Sequence, residues 1–373
     1  MLLFKVMYAK IIETKSGFSR LQHDWTRLQT IDPDVSYYST FEFLHTWWQT
    51  FKKHKTLFII CVYHNNAVVG IMPLYFETRR HIGLFSCKEC KFLASGLSDF
   101  FSVLIDKSIN ADNKIFNCMM STIEKHHLKW DRLLLIQMDS QTAFSRYLLK
   151  HQTYAPLFSF HLENPYLNLS EYENFSAYCK KHVSKNMNWR INKLQRDEPF
   201  NFNVSTNNQS PLLDEIKQLH LATCRYRNKH LPSMAKKYIS VFSNKTMNCF
   251  FNALYSNNCR VLNFTIRHQK TDELMAYNSC YIYNSTVYMW NTSYNVTYDS
   301  YHLGKIINYK IIEHCFDNDH VSVFDFGAGK YPWKFEWTDT FKPMYKLEKW
   351  TCVSLKNKLL PMLNKTKTFI STL

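Results

Sequence analysis

The residues whose types and spacing best suit ligand chemistry lie at the start of an expected helix. Apolar residues recur at helical spacing over Leu303–Cys315, which predicts a helix that begins near Tyr301 or His302. A helix N-terminus presents unpaired N–H groups and the positive end of the helix dipole. Gly304 would let a phosphate approach the backbone closely, and Lys305 adds a positive charge. The pattern predicts an anion site, although a packing role for Gly304 and a solvated Lys305 explain it equally well.

Strands are expected on both sides of this helix. Met275–Asn284 and Thr286–Thr292 alternate aromatic or β-branched residues with small polar ones, and Asn284-Ser285 between them predicts a hairpin turn. After the helix, Val321–Phe326 is short and apolar and ends at glycines, which indicates a buried strand. Strand, helix and strand form a crossover unit. Such a unit favours a parallel pair with ligands at the C-terminal ends of its strands.

Several short motifs, in this order along the chain, resemble a known family. The match is to the GNAT-type acyltransferases grouped with a protein of bacterial cellulose biosynthesis and, more distantly, to the Fem peptidyltransferases. The motifs are FEFLHTWW (41–48), AVVGIMPL (67–74), Ser98-Asp99-Phe100, VSKNMNWRINKLQR (183–196), Leu219-His220 with Arg225, the helix start with Gly304, and FDFGAGKYPWKFEW (324–337). Each motif is loose, so the order of all of them is the specific part.

The resemblance implies an α/β chain of two tandem GNAT-like (acyl-CoA N-acyltransferase) domains with mixed central sheets. We expect an N-terminal domain over residues 1–162, an acyltransferase domain over 163–350 and a basic tail over 351–373. The family implies acetyl-CoA or another acyl-CoA as donor. Its acceptor is an amine or hydroxyl of a sugar, peptide or small amine, in keeping with cell-surface polysaccharide or envelope metabolism in bacteria.

The sequence departs from the family in two places. Tyr301 and Ile306 stand where the CoA loop usually has Arg or Gln and a second small residue. In the terminal motif, Lys330, Tyr331 and Trp333 replace an acidic pair and a tyrosine.

The family mechanism implies roles for residues around the expected hairpin and helix. The acceptor would attack the donor carbonyl, which backbone N–H groups at Trp290, Asn291 and Thr292 would hold. The turn of His302, Leu303, Gly304 and Lys305 would bind the donor's phosphates. Asp325 is the candidate base, with a cap of its glycine loop as an equal alternative, and Tyr283 or Tyr281 is the candidate acid. Lys334 would orient substrate or Asp325.

Acceptor-binding roles for Lys185, Arg190 and His220 follow from the resemblance alone. Lys185 and Arg190 belong to a run of basic residues on one predicted helix, Phe175–Gln195, which a solvated surface also explains. Asp99, beside aromatic residues in an expected strand, is a base, a substrate ligand or a cap of the adjoining turn.

Composition and charge limit the classes of function. The chain has 373 residues and a formal charge of +16, which suits anionic partners, although lysines scattered along an Asn- and Lys-rich chain also indicate compositional drift. Eleven cysteines without a framework predict reduced thiols and a cytoplasmic protein. Cys87-Lys-Glu-Cys90 lacks a second ligand pair, so no metal is expected. No apolar run reaches the roughly 20 residues of a membrane helix, so any membrane contact would be peripheral.

Two other functions fit the same residues. A Fem-like transferase that takes its acyl group from aminoacyl-tRNA suits the net charge and the altered CoA loop, and tRNA is the one nucleic acid we expect as a partner. A GNAT-like protein without turnover that binds a carbohydrate, peptide or protein suits Lys330 and Trp333. The sequence leaves the acceptor, the acyl length and the oligomeric state open.

Overall fold

The computed structural model describes residues 7–80, 86–206, 210–232, 237–256 and 260–351. The chain forms two compact units, Met1–Leu162 with Pro343–Leu373 and Glu163–Lys342. We refer to them as the first and the second unit. The expected basic tail lies, apart from Thr351, outside the described residues.

The secondary structure alternates strands and helices through most of the chain. The strands are β1 (Tyr8–Ile12), β2 (Lys55–His64), β3 (Ala67–Arg80), β4 (Ser86–Phe92), β5 (Leu104–Ile105), β6 (Arg132–Asp139), β7 (Phe158–Asn168), β8 (Phe200–Thr206), β9 (Val261–His268), β10 (Leu274–Tyr283), β11 (Thr286–Tyr294), β12 (Val323–Asp325) and β13 (Phe341–Trp350). The helices are α1 (Lys15–Arg20), α2 (Gln22–Ile31), α3 (Phe41–Phe51), α4 (Asp112–Lys125), α5 (Ala143–Lys150), α6 (Phe175–His182), α7 (Met187–Asp197), α8 (Ser210–Lys229), α9 (Lys245–Ser256) and α10 (Leu303–Phe316).

The first unit is built on a mixed sheet in which β1, β2, β3, β4, β6 and β13 are neighbours in that order. Among the described strands of this unit only β4 and β6 pair in parallel, and β5 pairs with β3. Alternate residues of β2 face opposite sides of the sheet, and Phe58, Ile60 and Val62 pack in the core with Ile115 and Met119 of α4. The residues between them are also buried, so β2 is a continuous apolar run, as in sheets covered on both faces.

The second unit has its own mixed sheet, in the order β7, β12, β11, β10, β9, β8. β10 and β11 form the predicted hairpin, whose turn residues Asn284 and Ser285 both have positive φ (46° and 57°), as a two-residue turn requires. α10 then leads to β12, which runs parallel to β11. The predicted crossover of strand, helix and parallel strand is therefore confirmed. The apolar face of α10 packs in the core with β9, β10 and β12.

Two elements differ from the sequence predictions. The single helix expected over Phe175–Gln195 is two helices, because the chain is extended at Val183 and turns at Ser184, whose carbonyl accepts the Met187 N–H at 2.9 Å. The second domain was expected to reach residue 350, whereas Met344–Trp350 of β13 pairs with β6 in the first unit. The alternation of residues in β13 predicts a strand, but it does not indicate which sheet edge the strand joins.

Candidate functional site

The site begins with an irregularity in the hairpin. Ser279 pairs with Asn291 but Cys280 pairs with Met289, so Trp290 is an extra residue in β11 and forms a β-bulge. On its other edge β11 pairs with β12 only as far as Tyr288, opposite Asp325, where β12 ends. β11 continues to Tyr294. Beyond the bulge, alternate backbone N–H groups of β11 therefore point toward the edge of the strand that β12 no longer covers.

A cavity of about 390 Å³ opens along this part of β11. One wall is β11 itself, and the facing wall is the first turn and a half of α10 together with a 3₁₀ segment, Pro332–Glu336. Gly304 faces the Tyr294 ring, and Met289 lies at the other end of the lining stretch of β11. Met289 and Tyr294 are five residues apart on one strand, so the part of β11 that lines the cavity is ~16 Å long. A chain-like ligand fits along this stretch.

The first turn of α10 has backbone donors to offer at the Tyr294 end. His302 precedes the helix in the left-handed conformation (φ 57°) and makes no side-chain cap. Lys305 N–H donates to the His302 carbonyl, whereas the N–H groups of Leu303 and Gly304 have no acceptor among the described residues. A Cβ built on Gly304 would lie 3.8 Å from the Tyr294 ring, in ordinary contact. Close packing within the protein therefore does not require a glycine here.

Charges of both signs surround this end of the cavity. Lys305 Nζ lies 2.5 Å from Glu336 Oε2, and the two side chains are 41% and 48% exposed. The Tyr294 hydroxyl donates to Asp299 Oδ1 at 2.8 Å, and burial followed by this hydrogen bond raises the pKa of Tyr294. The guanidinium of Arg227, from α8, lies 6.0 Å from the centre of the Tyr294 ring. Asp299 and Glu336 thus partly offset the positive potential of the helix start.

Asp325 lies outside the cavity lining and is fully buried at the end of β12. Asn164 Nδ2 donates to both carboxylate oxygens (3.1 and 2.9 Å), and Gly327 N–H donates to Oδ1 at 2.9 Å. Burial raises the pKa of Asp325, and Lys342, with Nζ 4.0 Å away, acts in the opposite direction. Gly327 has a φ of 77°, which glycine adopts readily. The hydrogen bonds hold the carboxylate against its glycine loop.

Lys334 lies in the 3₁₀ segment that follows this loop. It is almost fully buried, and its Nζ donates to the carbonyl oxygens of Gly327 and Ala328 at 2.7 and 3.0 Å. The loop leads into the 3₁₀ segment whose Trp333 lines the cavity. Asp325 and Lys334 together hold the backbone that positions this wall.

The structure separates the predicted acid from the cavity. Tyr283 pairs with Thr286 beside the hairpin turn, with the Arg260 guanidinium 4.7 Å from its ring centre. Thr286 is six residues from the cavity-lining Thr292, or ~20 Å along β11. Tyr281 is buried against Trp290 with their ring centres 5.8 Å apart.

The predicted donor-binding residues fall into two groups. Four line the cavity: Thr292, His302, Gly304 and Lys305. The side chains of Trp290, Asn291 and Leu303 pack elsewhere. Trp290 stacks on Phe251, the Asn291 side-chain oxygen accepts the Tyr277 hydroxyl, and Leu303 is buried in the core.

The predicted acceptor-binding residues are spread over several elements. His220 of α8 has its Nδ1 2.8 Å from Ser240 Oγ, and burial followed by Arg227 lowers the pKa of His220 to about 4. Lys185 is exposed in the turn between α6 and α7, and Arg190 is half-buried on α7. Arg225, five residues after His220, is exposed and donates to the Leu221 carbonyl within its own helix.

Asp99 belongs to the first unit, where the space beside the parallel pair of β4 and β6 is filled. Phe101 N–H donates to the Gln137 carbonyl of β6 at 3.1 Å, and the Phe101 ring stacks on Phe92. Asp99 lies in this inserted loop and accepts the Tyr38 hydroxyl at 3.4 Å. In the first unit the loop with Asp99 and Phe101 thus fills the space beside the sheet, whereas in the second unit this space is a cavity.

Sequence reasoning gave no binding role to eight residues that line the cavity. These are Arg227, Met289, Ser293, Tyr294, Asp299, Asn308, Glu336 and Trp337. No local signal marked Arg227, which reaches the cavity because α8 packs on β11, where the hydroxyl of Thr223, four residues before Arg227, donates to the Tyr294 carbonyl at 2.9 Å.

The described ranges contain neither a cluster of metal ligands nor a membrane-spanning helix. No group of three or more His, Cys, Asp or Glu side chains there could hold a metal ion. No helix there is long and apolar enough to cross a membrane.

The fold is α/β, with two tandem GNAT-like domains and mixed central sheets. Residues 181–335 match the family described as "Acetyltransferase (GNAT) domain". The matched residues include the whole hairpin, α10 and the glycine loop. No curated protein matches the sequence.

Solved structures are similar over nearly the whole chain. FemX matches with a TM-score of 0.60 at 11% identity, covering 95% of this chain and 99% of its own. A conserved protein of unknown function from Bacteroides thetaiotaomicron matches with a TM-score of 0.54 at 11% identity, covering 93% and 100%. The C-terminal domain of an Agrobacterium fabrum protein described as a lysylphosphatidylglycerol synthetase matches with 0.53 at 11% identity, covering 88% and 91%. These likenesses support the fold. The finer likeness to the cellulose-biosynthesis group stays a prediction.

Proposed function

We propose that the protein is an acyltransferase that moves an acetyl or longer acyl group from acyl-CoA to an amine or hydroxyl acceptor. The observation that carries the proposal is the cavity between bulged β11 and the start of α10. It offers strand N–H groups along one wall and free helix N–H groups at Leu303 and Gly304 at one end. A pantetheine chain carries amides that pair with a strand edge, and a pyrophosphate suits a helix start.

This placement sets the direction of the donor. With the phosphates at the Gly304 end, the thioester lies toward the Met289 end, where the N–H groups after the bulge would hold the carbonyl oxygen. The acceptor's nitrogen or oxygen attacks the carbonyl carbon, the C–S bond breaks, and the proton of the acceptor passes to water. The thiolate leaves as a stable anion at pH values near its pKa, which resembles that of a cysteine, about 8.5.

The ionisable groups that line the cavity lie away from the expected thioester. This favours catalysis by orienting donor and acceptor and not by proton transfer from a side chain. The ionisable groups on described residues are Arg227, Tyr294, Asp299, His302, Lys305 and Glu336, all at or near the phosphate end. Trp333 stands on the wall where the family has a tyrosine, so it supplies contact area but no proton. In this proposal Asp325 and Lys334 act on the glycine loop that carries Trp333 and do not touch the substrate.

A second donor, aminoacyl-tRNA, is favoured by one observation. Lys305 is paired with Glu336, and Asp299 lies beside Tyr294, so the helix start carries less positive potential than a pyrophosphate site usually has. The terminal ester of such an RNA would place a single nucleotide at this end of the cavity. The acceptor of either reaction is an amine or a hydroxyl.

Calorimetric titration of the purified protein with acetyl-CoA, longer acyl-CoAs and free CoA tests the proposal. We expect binding that is lost in Gly304→Glu, because the side chain adds bulk and negative charge where a phosphate would lie. Absence of binding to every CoA species overturns the acyl-CoA donor. A parallel titration with aminoacyl-tRNA at physiological salt then distinguishes a tRNA-dependent transferase, which binds it, from a protein without transferase function.

A further inference from the structure

One aromatic and basic surface lies directly outside the helix start. It consists of Trp189 and Lys193 of α7 and Tyr301, and we call it the α7 patch. Lys193 Nζ lies 5.5 Å from the centre of the Trp189 ring and 5.3 Å from that of Tyr301. The ammonium group thus stands against two aromatic rings, a favourable arrangement for a cation.

The sequence of α7 explains why these side chains are together. The helix buries Met187 and Leu194, which leaves Trp189 and Lys193, four residues apart, as neighbours on another face. Of the nine tryptophans, all within the described ranges, only Trp189 is largely exposed, at 63%. Burial does not account for this tryptophan, and its free ring face remains available to a planar ligand.

The patch lies next to the end of the cavity that would receive phosphates. Tyr301 immediately precedes His302, the residue from which α10 starts, and its hydroxyl lies 3.5 Å from Asp197 Oδ2 at the end of α7. A nucleotide attached to a phosphate at Gly304 can leave the cavity past this turn. A base that does so meets aromatic rings and an ammonium group.

We propose that the α7 patch binds the adenine nucleotide of the donor, with the base stacked on Trp189 and a phosphate oxygen held by Lys193. The inference rests on the proposed function, since it assumes that a donor occupies the cavity. Base stacking on an exposed aromatic ring and a flanking cation is a recurrent mode of nucleotide binding. Two donors share this chemistry, because CoA carries a phosphorylated adenosine and every tRNA ends in an adenosine.

The experiment compares the parent protein with Trp189→Ala and Lys193→Ala. Both side chains lie on the helix face away from the core, so the variants should fold. The ligands are acetyl-CoA, adenosine 3′,5′-bisphosphate, pantetheine and an RNA hairpin with a single-stranded CCA end. Lys10→Ala is the matched control, because Lys10 in the first unit stands over the rings of Tyr8 and Tyr63 at 5.7 and 5.1 Å.

We expect Trp189→Ala to weaken acetyl-CoA and the bisphosphate by about tenfold, with pantetheine and the Lys10→Ala control unchanged. Bisphosphate binding that is absent from the parent, or equal in parent and variant, overturns the inference. If acetyl-CoA still binds in that case, the acyl-CoA donor is retained and only the nucleotide site at the α7 patch is wrong. If the parent binds no CoA species but binds the RNA end in a Trp189-dependent manner, the nucleotide site stands and the acyl-CoA donor is wrong.

Discussion

Replacing Gly304 by alanine should change the stability of the protein and its donor binding in opposite directions. In the free protein the added methyl group lies 3.8 and 3.9 Å from two carbons of the Tyr294 ring, with nothing closer. Alanine is favoured over glycine by up to ~1 kcal/mol in a helix, so the free energy of unfolding should rise by a fraction of that amount.

The same methyl group occupies the space through which a phosphate would reach the Gly304 N–H. Loss of one charge-assisted hydrogen bond is worth ~1.5–3 kcal/mol, which corresponds to a Kd for acetyl-CoA that is roughly 10- to 150-fold weaker. Denaturant unfolding without ligand measures the first effect, and calorimetry with acetyl-CoA measures the second. A damaged fold would instead lower both stability and affinity.

Lys310→Ala on the same helix is the matched control. Lys310 lies more than one turn from Gly304 and pairs with Glu313 at 2.7 Å, so its loss should leave the Kd within about twofold. Equal acetyl-CoA affinity in the parent and Gly304→Ala would refute a phosphate at this helix start, whatever the stability shows.

The other predictions concern charges. Glu336→Gln should tighten acetyl-CoA binding and Lys305→Gln should weaken it, each by roughly threefold, and titration in high salt should abolish both differences. Burial raises the pKa of Asp32 from 3.8 to about 6, so the folded state holds a proton that the unfolded state releases. Its contribution to stability should therefore fall by about 3 kcal/mol between about pH 4 and 6, and Asp32→Asn should remove this slope from denaturant unfolding curves. An NMR titration should give a midpoint near pH 4 for the His220 ring. Its resonance is identified as the one that is missing from the spectrum of His220→Gln. Because its folded pKa is lowered, stability should be lost as pH falls below about 6.5, and a midpoint near 6.5 would contradict the buried position of the ring.

The hairpin and α10 were predictable because their signals are local. Alternation of residue types, the turn pair Asn284-Ser285 and helical periodicity are each contained within about ten residues. Four of the seven expected donor-binding residues line the cavity for the same reason, since they follow one another at the end of β11 and the start of α10.

The rest of the site depends on pairing that the sequence does not display. The bulge at Trp290 shifts which side chains of β11 face the cavity, so Tyr294 lines it while Trp290 packs against Phe251. Asp325 looked available at a strand end, yet Asn164 of β7, 161 residues earlier, donates to both of its oxygens. Arg227 reaches the cavity because α8 packs on β11, a long-range contact that only the fold reveals.

The return of β13 to the sheet of the first unit affects the order in which the chain can fold during synthesis. β6 has β4 on one side and β13 on the other, so it remains an unprotected edge strand until the ribosome has made residue 350. The second unit, Glu163–Lys342, is meanwhile complete. The half of the protein that is begun first is therefore finished last, and a chain stopped at residue 342 lacks a strand of the first unit and none of the cavity's lining residues.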